Sequence, residues 1–194
     1  MAPERESAIV VELPELDAVL DEHRRALDPS RPWGMPAHLT LIYPFVAPAD
    51  VNGEILARLS RAATGVMSFT AAFADFGWFD DHVSWLAPSD PAPFTNLIGL
   101  LAAAFPEHPP YDGAFDDVVP HVTIGEGQPV DRLRAATDAI RPHLPLCARV
   151  TSLSLMAGSS TPGSWRVVER VPLAPLRSNH EDALEPEENR WQCP

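Results

Sequence analysis

The sequence predicts an α+β fold of two related lobes, each an antiparallel sheet with flanking helices and a functional groove between them. Three observations predict it. Strand and helix patterns alternate through 194 residues, a length that one domain or one pair of lobes accommodates. The order strand, helix, loop, strand, helix, strand occurs twice. Within that order a His-x-Thr triplet falls at the same place in each half, as His38-Leu39-Thr40 and His121-Val122-Thr123.

The elements follow from local pattern. Residues 8–13 are an apolar run stopped by Pro14, a strand. Residues 16–27 carry Leu16, Val19, Leu20 and Leu27 with charges between them, an amphipathic helix. Residues 29–36 form a Pro/Gly loop holding Trp33. Residues 38–43 are a strand ended by Pro44, and 50–63 a helix with Ile55, Leu56 and Leu59 inward and Asp50 as its cap. Residues 69–79 and 83–86 are strands joined by the turn Asp80-Asp81-His82. The second half gives a helix over 94–105, a long loop over 106–120, a strand over 121–124 and a helix over 130–140. A strand over 148–156, a turn over 158–163 and a last strand over 165–173 complete it.

Matching the halves pairs 8–13 with 83–86, 38–42 with 121–124, 50–63 with 130–140, and 69–79 with 148–156. Alternation of strands and helices also fits a doubly wound parallel sheet, but no G-x-G-x-x-G follows the first strand. Residues 1–177 are read as the two-lobed domain. Residues 178–194 hold five acids and one arginine and are read as a solvated acidic tail.

Composition excludes several chemistries. The net charge is −13, all 14 basic residues are arginine, and there is no lysine. A lysine Schiff base, a P-loop lysine and a Ser–Lys dyad are therefore ruled out. So large a negative balance argues against wrapping a long duplex, which draws on positive surface. A small phosphate ligand held by a few local donors is still compatible. The two cysteines, Cys147 and Cys193, make no metal-ligand spacing and point to a reducing compartment. The first residues are polar, and no apolar run approaches the ~20 residues of a membrane helix. The expectation is a cytoplasmic monomer with no membrane partner.

On a strand, residues i and i+2 share a face. His38 and Thr40 therefore lie opposite Leu39 and Leu41, and His121 and Thr123 opposite Val122 and Ile124. With the apolar residues in the core, both His–Thr pairs face the groove. Histidine serves as acid or base near neutral pH, and a hydroxyl two residues on donates to developing charge on a phosphate oxygen. Neither motif has a third metal ligand nearby, so no metal and no cofactor is expected. A structural histidine and a non-catalytic nucleotide- or RNA-end-binding module are the competing readings. The remaining histidines are read as solvated, and Ser159-Ser160-Thr161 as a turn.

The two motifs His38-Leu-Thr-Leu41 and His121-Val-Thr-Ile124, with the extension to Phe45, resemble those of the two-histidine (2H) phosphoesterase superfamily, in its 2'-5' RNA ligase and cyclic phosphodiesterase branch. The resemblance covers about residues 6–176. It implies metal-independent hydrolysis of a 2',3'-cyclic phosphate or a 2'-5' linkage on a small nucleotide or RNA terminus. The catalytic set would be His38, Thr40, His121 and Thr123, with ligation as the reverse reaction. In that family the first histidine more often protonates the leaving oxygen. Gly125-Glu126-Gly127 stands where many relatives carry a basic residue. Candidate substrate contacts are the aromatic side chains of Trp33, Tyr43 and Phe79, which could stack on a base, and Arg166, which could reach a phosphate. Tyr43 has core parity if its strand is unbulged, and Trp85 is read as core.

Overall fold

The computed structural model describes residues 5–115 and 117–175. Its strands are β1 (Glu6–Glu12), β2 (His38–Ile42), β3 (Phe69–Phe79), β4 (Val83–Pro88), β5 (Val122–Glu126), β6 (Leu146–Val150), β7 (Ser152–Gly158) and β8 (Arg166–Pro172). Its helices are α1 (Pro14–Leu27), α2 (Gly53–Ala63), α3 (Ala92–Ala104) and α4 (Val130–Ile140). Among the described residues no helix is long and apolar enough to cross a membrane. The expected tail over 178–194 lies outside the described residues.

Local chemistry sets the helix ends. Pro14 occupies the first turn of α1, with Glu15 and Asp17 beside it and Arg24 and Arg25 in the last turn. Both charge placements oppose the helix dipole favourably. Helix α2 corrects an expectation: its cap is Asn52, whose Oδ1 accepts from the backbone N–H groups of Glu54 and Ile55 at 3.0 and 3.1 Å. Asp50 instead closes a short 3-10 turn, Pro48–Asp50. The break at Asn52 lets its carboxamide reach the free N–H groups of the first turn, which no residue further upstream can do.

All strand pairs within the sheets are antiparallel, in two four-stranded sheets ordered β2-β1-β7-β8 and β5-β4-β3-β6. The fold is α+β with two lobes. The strand expected over 148–156 is two strands. The chain breaks at Thr151 between β6, in the second sheet, and β7, in the first. The halves thus exchange strands: β3 of the first half sits beside β4, while β7 of the second half sits beside β1. Each H-x-T strand, β2 or β5, remains an edge strand of its sheet next to β1 or β4.

One apolar core joins the lobes. It takes Ile9, Leu39 and Leu155 from the first sheet and Phe73, Leu86 and Val122 from the second, with Leu20, Leu59, Phe94 and Leu133 from the helices. Helix α1 packs against β5 and β6, and α3 against β2, so each half's helix covers a strand of the other half. Cys147 lies on β6, and the second cysteine, Cys193, lies outside the described residues.

Candidate active site

Strands β2 and β5 lie side by side where the sheets adjoin. On and just after β2, Leu39, Leu41 and Ile42 are fully buried, while His38, Thr40 and Tyr43 are half-buried. On and just before β5, Val122 and Ile124 are fully buried, while His121 and Thr123 are half-buried. The period of two thus turns both His–Thr pairs away from the core.

Each H-x-T strand then bulges at the same point. Thr40 faces Val10 and Ile42 faces Ile9, so two steps on β2 match one step on β1. Thr123 faces Trp85 and Gly125 faces Ser84, so β5 bulges against β4 in the same way. The extra residue reverses the parity of the positions after it. Tyr43, which has core parity in an unbulged strand, joins a small cluster outside the main core with Trp33, Met35, Met156 and Trp165. The bulge is the reason: the core parity expected of Tyr43 holds only for an unbulged strand. Glu126 corresponds to Tyr43 and pairs with Val83, on the face of Trp85 and Thr123.

The two imidazoles are held alike. His38 Nδ1 lies 2.8 Å from the carbonyl of Pro36, and His121 Nδ1 lies 2.7 Å from that of Val119. A carbonyl only accepts, so each Nδ1 carries the proton and each Nε2 bears the lone pair in the neutral ring. Burial pushes His38 down to about 4, assisted by the Arg24 guanidinium and opposed by the Pro36 carbonyl and Asp28; the charge of His121 also reaches it. Burial lowers His121 as well, against the pull of the Val119 carbonyl.

This depression has a consequence for stability. The unfolded chain takes up the His38 proton near its ordinary value, above the folded value, so acid favours unfolding. The contribution is complete above about pH 6.5 and is lost as pH falls toward 4. At ~1.4 kcal/mol per pKa unit, the loss should approach about 3 kcal/mol. Urea unfolding of the wild type and of His38→Gln at pH 7 and pH 4.5 checks this: the variant should show the smaller drop.

The other candidates divide. Phe79 meets His121 edge-on at 5.0 Å between ring centroids, and Trp85 meets it at 5.6 Å. Trp85 therefore belongs beside the histidine rather than in the main core. Its indole covers Gly77, where a Cβ would come within 2.1 Å of the ring. Trp33 packs in the small cluster beside β2, and its carbonyl accepts from the Trp165 N–H at 2.9 Å. The Tyr43 hydroxyl donates to Glu6 at 2.8 Å and is pushed up to about 12 by burial and by that carboxylate. Arg166 pairs with Ala157, a buried residue with the core parity of Leu155, and so lies on the opposite face from the histidines.

Sequence reasoning missed Arg170 and Glu12. Thr40, Val10, Ser154 and Arg170 form one row across the first sheet. Glu12, the register partner of His38, accepts from Arg170 through both oxygens at 3.1 Å and from the Ser154 hydroxyl. A bulge in β8 between the partners of Leu155 and Met156 separates the faces of Arg166 and Arg170. Without it, both would have shared one parity. Two surface clefts, one lined by Trp78, Asp80, Arg134 and Arg141 and an apolar one lined by Met67, Phe69, Pro93 and Leu100, include neither histidine. In the 159–164 turn Ser164 donates to the Ser159 carbonyl at 2.7 Å, so its hydroxyls serve the turn itself.

Residues 13–161 match the family model of the 2'-5' RNA ligase superfamily. No curated protein matches the chain. Among solved structures, TT0787 of Thermus thermophilus is similar at a TM-score of 0.63 and 22% identity, over 88% of this chain and 99% of that one. E. coli LigT complexed with 3'-AMP is similar at 0.53 and 22%, over 88% and 99%. E. coli LigT complexed with NADP+ is similar at 0.54 and 22%, over 89% and 99%. At these identities the likeness to solved structures is one of fold.

Proposed function

Because the chain belongs to the 2'-5' RNA ligase superfamily, we propose that it is a metal-independent phosphodiesterase that opens a 2',3'-cyclic phosphate, or cleaves a 2'-5' linkage, on a small nucleotide or RNA end. Membership supports a phosphoesterase. The observation that carries the finer reading is the matched pair of imidazoles on facing edge strands, each with Nδ1 on a carbonyl two residues upstream.

In this reading the diester lies between the histidines. Neutral His38 takes a proton from water through Nε2, and the water oxygen attacks phosphorus. The P–O bond to the ribose breaks, and the departing oxygen takes a proton from His121. Electrostatics favour that assignment: burial and then the Arg24 guanidinium lower His38, whereas His121 is lowered by burial, against the pull of the Val119 carbonyl. It reverses the roles that the family resemblance more often implies. Bound phosphate, as an anion, favours the charged form of His121. Thr40 and Thr123 donate to the nonbridging oxygens as charge builds. Solvent then returns the two rings to their starting states.

Phe79, 37% exposed and edge-on to His121, is the stacking surface for a base in this proposal. Glu126 and Glu6 are acidic and Arg170 is engaged by Glu12, which suits a singly charged diester better than a polyphosphate. Turnover of 2',3'-cyclic nucleotides in a chelator-treated sample tests the reading. Hydrolysis is the expected result. Binding without turnover would favour an end-binding module, and activity that depends on added metal would overturn the mechanism.

A further inference from the structure

Beneath His38 lies a buried ionic cluster that the chemistry above does not use. Arg24 is 1% exposed and ends α1 inside the protein. Its Nε and Nη2 donate to Asp28 Oδ2 at 3.0 and 2.8 Å. Its Nη1 donates to the Met35 carbonyl at 3.4 Å and lies 3.6 Å from Asp17 Oδ1. The other oxygen of Asp28 accepts from the Ser30 N–H and hydroxyl at 2.8 and 2.7 Å. Asp17 Oδ1 accepts the Ala37 N–H at 3.0 Å. Arg31 is in turn held by Asp21 of the same helix.

The bonds from Arg24 to Asp28 and Met35, from the Ala37 N–H to Asp17, and from Arg31 to Asp21 tie the 28–37 loop to α1. That loop delivers His38, and its Pro36 carbonyl is the group that orients the ring. A buried ion pair is a poor source of net stability, since desolvation offsets the attraction. A pair of apolar residues would fill the same space. Retaining three charges at this spot is explained by what they hold.

We propose that the Arg24–Asp28–Asp17 cluster is a positioning device for His38, fixing the loop so that the Pro36 carbonyl locks the imidazole with Nε2 toward the substrate. This rests on the reading of His38 as a reacting group. Arg24 is a positioning residue and touches no substrate. Its charge acts on the ring as well, against that of Asp28. The remaining charged neighbours are Glu12, opposite on β1 and engaged by Arg170, and His121 across the strand junction.

The test reads His38 directly, by imidazole NMR titration and tautomer assignment in the full-length protein, with His121 as the internal control. Arg24→Met should raise the His38 midpoint by about one unit or more, as expected when a nearby like charge is removed. It should also populate the second tautomer. Asp28→Asn should move the midpoint down, since it removes the carboxylate charge that opposes Arg24 at the ring. A merely structural role would move both variants toward the free-histidine value. Arg24→Lys keeps the charge but loses the fork, so the midpoint should stay while kcat falls with KM nearly unchanged. A folded Arg24→Met with an unmoved midpoint and one tautomer would overturn the proposal, as would an upward shift in Asp28→Asn. If Arg24→Met does not fold, Asp28→Asn decides alone. The titration does not depend on turnover, so failure of the diesterase reading would appear separately, as an inactive protein with the expected shifts.

Discussion

Replacing either His38 or His121 by alanine should lower turnover of a 2',3'-cyclic phosphate at least ~10²-fold, the low end for a positioned acid or base. The rings take a proton and give one in the same step, so the double variant should be scarcely worse than either single one. Multiplicative losses would place the histidines in separate steps. The rate should follow a bell-shaped pH curve whose limbs belong to the pair. The base limb should lie low, because burial and Arg24 together depress His38. Thr40→Val and Thr123→Val each remove one hydroxyl and keep the shape. Each should cost less than the ~10²–10³-fold of a strong oxyanion donor, because the other threonine remains. Steady-state kinetics on the wild type and these five variants measure all of this. Full turnover by a His121 variant would remove the two-histidine mechanism.

Gly77→Ala should destabilise the protein by about 1–3 kcal/mol, the usual range for overpacking a filled site. The new Cβ would lie 2.1 Å from two carbons of the Trp85 ring, so the indole must move. Trp85 contacts both Phe79 and His121, and its movement should carry His121 off its carbonyl anchor. Activity should therefore fall further than stability alone explains. Gly99→Ala is the control. Gly99 is exposed on α3, and a Cβ there would meet nothing within 4 Å, so alanine should add about 0.5–1 kcal/mol from helix propensity. Urea unfolding and activity at one temperature separate the two outcomes. A Gly77→Ala protein of unchanged stability would contradict the packing of Trp85 over that glycine.

Strand parity and the repeat were legible in the sequence because both are local. Leu39 and Leu41 against His38 and Thr40, and Val122 and Ile124 against His121 and Thr123, state their faces within four residues. The order of elements in each half follows from prolines and apolar periods, which report on the chain's own backbone. Those signals sufficed for two lobes and for a pair of histidines turned away from the core. What only the tertiary structure decided is non-local. Bulges at equivalent points of β2 and β5 depend on the partner strands β1 and β4, and they brought Tyr43 out of the main core and turned Glu126 to the open face. A bulge in β8 put Arg170 rather than Arg166 on the face of Thr40. The passage of the chain from β6 in the second sheet to β7 in the first required the break at Thr151, which no periodicity marks. Arg24 read as an ordinary charge on an amphipathic helix. Only the return of the 28–37 loop over α1 closes it from water and sets it beneath His38, because burial of a charge is a property of what packs over it and not of its own sequence.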